Sequence, residues 1–298
     1  MTKLIISSLK LRSSVKTCFL LLLLCAGTGL AEDVIITKNQ QFRGKVKSAD
    51  SKSVTIEIAG RGIVAVPRST IEKLTVEPPP AIIRGIDAYE KGNYKEAQLI
   101  LSKAANQYLG LDTPWAAKAL VYYARGCLMA GDNVNAEKAF SAFLSAYDDD
   151  PLVMDAELGL AETEVARKDI DKALPKFQEL ADEYEKQLKP AKEQLSYAAA
   201  AFLGLGKCLE VKEDPNGAIN AYLKVIALYP ADNAMPETLY RAAVIYQNQN
   251  RPDYANLLVN DLIAQYPASP YSKKAADLKK QLEPLLAAEQ KAPETPAK

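Results

Sequence analysis

Apolar positions recur along this chain with a helical spacing. Counting from Ala97, Ala136, Ala173, Ala218 and Ala255, the residues four, seven and eleven positions on are Leu101, Ala104 and Tyr108; Phe140, Phe143 and Tyr147; Phe177, Leu180 and Tyr184; Tyr222, Val225 and Tyr229; and Val259, Leu262 and Tyr266. Offsets of 0, 4, 7 and 11 lie on one stripe of an α-helix. The stripe predicts five helices of one kind, each with an alanine at its start and a tyrosine at its end. The anchors stand 39, 37, 45 and 37 residues apart, and a helical unit repeated at such intervals buries its apolar face by stacking into a solenoid. Each repeat needs a first helix ahead of its alanine-anchored second one, and Ile82–Lys91 and Ala117–Ala130 supply it in the first two repeats. The largest insertion surrounds residues 183–196, where Pro190 interrupts a charged helical stretch.

Residues 33–77 change period. Val54, Ile56 and Ile58 alternate with Thr55 and Glu57, the signature of a half-buried strand. Further strands are expected at Asp33–Thr37, Gln41–Ala49, Ile63–Val66 and Lys73–Val76, with a tight loop at Gly60-Arg61-Gly62 and one helical turn over residues 67–71. Five short strands with a single turn before the last resemble a small SH3-like or Sm-like β-barrel. Pro78-Pro79-Pro80 suits neither a ladder nor a helix interior and marks a boundary. At the other end, Lys273, Lys274, Ala275, Leu278, Leu282 and Leu285 suit a capping helix over residues 272–290, followed by a polar, disordered tail over 291–298. The expected division is a leader over 1–31, the small β domain over 32–77, the proline linker over 78–80, the repeats over 81–271, then cap and tail.

Residues 1–31 carry Lys3, Lys10, Arg12 and Lys16 and no acid, then the short apolar run Cys18–Ala26 and the small-x-small site Gly29-Leu30-Ala31. This predicts a cleaved secretory signal peptide, with the periplasm as destination, or attachment to the outer membrane were Cys25 lipidated. The apolar run is short for a membrane span, so no transmembrane segment is expected in the mature chain. The formal net charge is 0 for the whole chain; outside the leader 33 basic residues face 37 acidic ones. That balance excludes the clustered basic face that nucleic acid requires. The chain has no histidine, which removes Ser–His, Cys–His and histidine-ligated metal chemistry together. Beyond the leader only Cys127 and Cys208 remain, two repeats apart, and both are read as small buried residues rather than as a disulfide.

Gly85 with Gly92-Asn93-Tyr94-Lys95-Glu96-Ala97, and Gly206 with Asp214-Pro215-Asn216-Gly217-Ala218 and Tyr229-Pro230, resemble the tetratricopeptide repeat. That pattern has a glycine in the first helix, a turn glycine, an alanine opening the second helix and a proline after it. The turn glycine becomes Lys168, Glu213 and Asn250 in the last three repeats, although the slot favours φ > 0. Longer units ending in Tyr-Pro are similar to bacterial envelope tetratricopeptide proteins. The resemblance implies a mainly α chain: a right-handed α-solenoid of about five helix pairs plus a cap, preceded by the small five-stranded β-barrel. It also implies that the first helices line a groove, with Tyr89, Val121, Arg125, Leu158, Glu162, Leu203, Lys207, Tyr240, Val244 and Gln247 facing inward. The slot eleven before each anchor reads Ile86, Arg125, Glu162, Lys207 and Val244. Its alternating charges either pair between repeats or form an open polar track for an extended peptide.

Candidate chemistry elsewhere is thin. Asp148-Asp149-Asp150 lacks the spaced ligands and glycine of a Ca²⁺ loop; Asp150 is expected to cap the next helix, with Pro151 in its first turn. Glu157, Glu162 and Glu164 are not spaced to converge on one point. The repeated tyrosines are expected to pack their rings between repeats and keep their hydroxyls in water. The sequence therefore points to a non-enzymatic scaffold with no cofactor or metal, binding a peptide or partner protein of an envelope complex in its groove. The alternative is a peptidoglycan- or polysaccharide-binding accessory that uses tyrosine-rich surfaces or the β domain, whose eight basic residues outnumber its six acids.

Overall fold

The computed structural model describes residues 32–187 and 191–289. The leader, Pro190 and the tail lie outside the described residues. Five strands open the chain: β1 (Asp33–Thr37), β2 (Gln41–Ala49), β3 (Ser53–Ile58), β4 (Gly62–Pro67) and β5 (Ile71–Thr75). A 3₁₀ turn, Arg68–Thr70, joins the last two strands. All neighbours are antiparallel and the order is β4-β3-β2-β1-β5. The five expected strands and the turn are therefore present, but no ladder joins β4 to β5, so the sheet is open rather than a closed barrel. Alternation identifies strands well; closure depends on accumulated curvature and shear, which alternation does not encode. Asp33, 1% exposed, fixes the start of the sheet by accepting the backbone N–H groups of Val46 at 2.8 Å and Glu77 at 3.3 Å. A Cβ on Gly44 would lie 2.0 Å from the Glu57 carbonyl oxygen, so the close approach of β2 to β3 requires glycine.

Eleven helices follow among the described residues: α1 (Pro80–Glu90), α2 (Tyr94–Gln107), α3 (Pro114–Met129), α4 (Asn133–Ala146), α5 (Val153–Ala166), α6 (Ile170–Glu185), α7 (Leu195–Val211), α8 (Pro215–Leu228), α9 (Met235–Asn248), α10 (Pro252–Gln265) and α11 (Pro270–Glu289). Pro80 opens α1 rather than preceding it, as a first-turn proline can. The first ten helices form five antiparallel pairs and α11 packs over the last pair. All five anchor alanines are fully buried, and so are the residues four positions on: Leu101, Phe140, Phe177, Tyr222 and Val259.

Glycines on the first helices receive these side chains. A Cβ on Gly206 would stand 2.2 Å from the ring of Tyr222 in its own repeat. Cβ atoms on Gly159 and Gly204 would stand 2.2 Å from the rings of Phe140 and Phe177 in the repeat before. The side chain at offset four thus lodges against a glycine of a first helix, its own in repeat four and the next one's in repeats two and three. The turn slot between the paired helices has positive φ in every repeat: 80° at Gly92, 81° at Gly131, 63° at Lys168, 60° at Glu213 and 56° at Asn250. The fold holds non-glycine residues there at a local cost.

The tyrosines at offset 11 depart from expectation. Tyr108, Tyr147, Tyr184 and Tyr229 are all buried. The Tyr147 hydroxyl donates to the Tyr108 and Leu111 carbonyls at 3.4 and 3.3 Å, and the Tyr229 hydroxyl donates to the Tyr184 carbonyl at 3.3 Å. Only Tyr266 is partly exposed, with its hydroxyl 3.5 Å from Asp232. In Tyr147 and Tyr229 the ring carries the hydroxyl under the preceding repeat, where a backbone acceptor replaces water, whereas the Tyr184 hydroxyl is buried without a partner. Asp150 also differs: it accepts the Leu152 N–H at 2.8 Å in a turn, and α5 begins only at Val153, beyond Pro151.

The sheet and the array share a core. Ile35, Phe42, Val46 and Val76 join Ile82, Leu101, Tyr108 and Leu111 in one apolar cluster. The Trp115 indole N–H donates to the Val76 carbonyl at 2.8 Å, and Gln107 binds the Lys47 carbonyl. The β domain is therefore docked on the first two repeats.

Candidate partner-binding groove

The first helix of each pair forms an inner layer. α1 packs on α3, α3 on α5, α5 on α7 and α9 on α11, whereas consecutive second helices have no comparable contact. α7 and α9 are the exception in the inner layer and approach each other less closely. All ten residues expected to face inward lie on first helices, and their environments divide them.

Val121 and Leu158 do not line a groove. They are 0% and 1% exposed and belong to the packed core. They occupy the slot fifteen before the anchor, together with Ile82, which is 1% exposed. The same slot in the last two repeats holds Leu203 and Tyr240, and both are half-buried. The register is right, but in the first three repeats neighbouring helices close over the slot.

Of the two readings of the alternating charges, pairing between repeats is the one observed. Arg125 Nε donates to Asp155 Oδ1 at 2.8 Å, its Nη2 bonds the same carboxylate and the Asp155 carbonyl, and its Nη1 reaches Glu162. Burial alone would depress the Arg125 pKa; Glu162 and Asp155 outweigh it and hold the guanidinium charged. Lys207 Nζ lies 3.3 Å from Glu237, which also accepts from Arg241 Nε at 2.8 Å. Burial would raise the Glu237 pKa, but Lys207 and Arg241 lower it. The two pairs are equivalent: Arg125 and Lys207 stand eleven before their anchors, Asp155 and Glu237 eighteen before the next. Sequence reasoning missed both acids, although opposite charges at these two slots of successive repeats were a visible signal.

Repeat four has Ala200 at that acid slot, so Glu162 finds no base there. A cleft of about 440 Å³ opens at this point. Leu128, Val165 and Leu203 line it, with Glu162, Lys207 and Glu237 around them. Three of the expected residues, Glu162, Leu203 and Lys207, therefore converge. The arrangement offers an apolar seat with carboxylates and an ammonium beside it, suited to one apolar side chain and the polar backbone that carries it.

The remaining expected residues do not line this cleft. Tyr89 stacks on Tyr122 with centroids 4.2 Å apart, and burial pushes its hydroxyl up to about 12 against the pull of Arg125. Tyr240 meets Tyr271 at 5.8 Å, and the Lys274 ammonium lies 5.8 and 5.0 Å from the two rings. Val244 is half-buried beside them, and Gln247 donates to Gln281 at 3.2 Å. Tyr122 and Tyr271 are further residues the sequence did not single out.

The three glutamates of α5 go separate ways, as their spacing implies. Glu162 meets Arg125, buried Glu164 pairs with Lys176, and Glu157 lies near Glu183 and Glu179 with its pKa raised, first by burial. Cys127 and Cys208 are both buried and free, and burial pushes each thiol up to about 11, which makes them poor nucleophiles.

With this geometry in hand, the tetratricopeptide-repeat family profile matches residues 200–232 and 237–269, the α7–α8 and α9–α10 pairs. This part of the chain is a tetratricopeptide-repeat array. The three earlier pairs share its offsets and its positive-φ turn. No curated protein matches the chain. Among solved structures, a thermophilic tetratricopeptide-repeat protein of Thermus thermophilus is 19% identical, covering 70% of this chain and 97% of its own, with a TM-score of 0.45. The APC/C hetero-tetramer Cut9–Hcn1 is 18% identical, covering 68% of this chain and 35% of that one, with a TM-score of 0.52. YrrB, described as a tetratricopeptide-repeat protein with an unusual peptide-binding site, is 19% identical over 67% of this chain and 92% of its own, with a TM-score of 0.41. At these identities the likeness is one of fold.

Proposed function

We propose that this protein is an exported, non-enzymatic scaffold that binds a peptide or partner protein of a cell-envelope complex along its inner face. The peptide seats an apolar side chain between α5, α7 and α9. One observation carries this reading: beside the wider joint between α7 and α9, Leu203, Lys207 and Glu162 surround a cleft of about 440 Å³. Extended segments in such clefts gain affinity from a few buried anchors, with polar groups fixing register. The leader-like residues 1–31 support export.

Photo-crosslinking side chains at positions 203 and 240, introduced in the native cell, test the reading. One recurrent protein captured from both positions, and not from the outward-facing position 138, is the expected result. Lys207→Ala combined with Tyr240→Ala should abolish that capture while the helical circular-dichroism signal stays intact. Arg125 is unsuited to the same test because it anchors α3 to α5. Capture unchanged by the double substitution, or glycan captured instead of protein, would overturn the groove assignment; the glycan result would favour the polysaccharide-binding alternative.

A further inference from the structure

The open sheet leaves β4 with one unpaired edge. The Arg68 N–H donates to the Lys52 carbonyl at 2.9 Å, and the register sets Val54 opposite Val66, Ile56 opposite Val64 and Ile58 opposite Gly62. Antiparallel ladders alternate, so these are the hydrogen-bonded pairs. The N–H and C=O groups of Ile63 and Ala65 consequently point away from β3 and lack a strand partner.

Sheet edges are ordinarily blunted by charge, proline or a bulge. The far edge, β5, carries Glu72 and Lys73. β4 reads Gly-Ile-Val-Ala-Val-Pro, with no charged residue, and its proline lies at the last position, beyond the free N–H groups. Ile63 is 66% exposed, among the most exposed large apolar side chains described. Basic residues bracket the strand, Arg61 before it and Arg68 after it, the latter with its Nη1 donating to the Asp50 carbonyl at 3.2 Å. Among the described residues the sheet's carboxylate pairs are Lys45–Asp33 and Lys47–Glu57, which leave both arginines without a carboxylate within 4.0 Å.

We propose that the β4 edge binds a partner's extended segment as a sixth strand, and that this segment is apolar at its centre and acidic at its ends. Main-chain bonds to Ile63 and Ala65 would supply the pairing, and Arg61 and Arg68 the preference for acidic flanks. In the register that pairs Ile63 with Ala65, a second copy of this chain fits poorly. Antiparallel pairing that sets Ile63 opposite Ala65 of another β4 places Arg61 opposite its Pro67, beside its Arg68. This surface is separate from the inner face of the helices, so it stands or falls independently of the groove.

The probe is a seven-residue peptide of alternating valine and threonine with aspartate at both ends, titrated into the purified chain and followed by amide hydrogen exchange. Exchange at Ile63 and Ala65 should slow by about tenfold or more, as expected when free N–H groups join a ladder. The analogue with lysine at both ends should bind about tenfold more weakly, and Arg61→Glu should erase that preference. Ala65→Pro removes one free N–H but none that β3 uses, so it should abolish binding without altering exchange in β1 and β2. Should that variant disturb the sheet, Ile63→Lys places a charge on the edge without touching the backbone and should weaken binding equally. Three results would overturn the proposal: no slowing at Ile63 and Ala65, equal binding of both peptides, or slowing without peptide that grows with protein concentration, which would signal self-pairing.

Discussion

The inner face of this array has two halves built from the same slots. In the first three repeats the slot fifteen before the anchor holds Ile82, Val121 and Leu158, each at most 1% exposed. In the last two it holds Leu203 and Tyr240, which are half-buried and reachable. α1, α3, α5 and α7 pack closely in sequence, but α7 and α9 stand further apart and are bridged by the Lys207–Glu237 and Arg241–Glu210 ion pairs. Helical periodicity sets which side of a helix a residue occupies. The spacing to the next helix sets whether anything can reach it. A groove in such an array is therefore a local property of particular joints.

The sharpest test compares one side chain in both halves. Leu158→Ala should destabilise the protein by about 2–5 kcal/mol, the cost of a cavity in a closed core, and Leu203→Ala by about 1 kcal/mol, because less area leaves water. Urea midpoints measure both, and equal costs would erase the distinction between the halves. Next are the two equivalent ion pairs. Arg125→Ala strands the carboxylates of Asp155 and Glu162 in a half-buried site and should cost about 2 kcal/mol. Lys207→Ala leaves Glu237 still bonded to Arg241 and should cost less than about 1 kcal/mol. Thermal melts of the two variants should rank in that order; the reverse ranking would mean that the open joint is the tighter one. The smallest effect lies in the turns, where the first two repeats have glycine and the last three do not. Lys168→Gly and Glu213→Gly should each stabilise by about 1 kcal/mol by relieving left-handed backbone strain, visible as raised melting midpoints. A loss in either variant would show that the native side chain supports its turn.

Much of this was legible beforehand because a repeated pattern reports its own register. The offsets of 0, 4, 7 and 11 name buried residues in every repeat apart from the partly exposed Tyr266. The turn slot has the backbone conformation that glycine at positions 92 and 131 implies. Where the reading failed, the missing information lay between elements. Val121 and Leu158 share a slot with Leu203 and Tyr240, so nothing local separates them. The hydroxyls of Tyr147 and Tyr229 are buried against a carbonyl that the preceding repeat presents. Asp150 carries helix-capping chemistry but uses it one turn early, and the sheet stays open although its strands alternate correctly. The charge pairs were half visible: the bases stood out at one slot, while their acids lay at a second slot that only the packing of successive first helices connects.

The tyrosine bonds have a consequence for how such a chain can lengthen over evolutionary time. Tyr147 and Tyr229 each grip a main-chain carbonyl of the preceding tyrosine, at residues 108 and 184. A side-chain acceptor would have to be inherited together with its donor. A carbonyl is present whatever residue carries it, so a duplicated unit whose tyrosine reaches one couples to its predecessor without a matched side chain, as Tyr147 and Tyr229 do and Tyr184 does not. Sequence can then drift freely on the inner slots of each copy, and new recognition surfaces can arise at one joint without renegotiating the others.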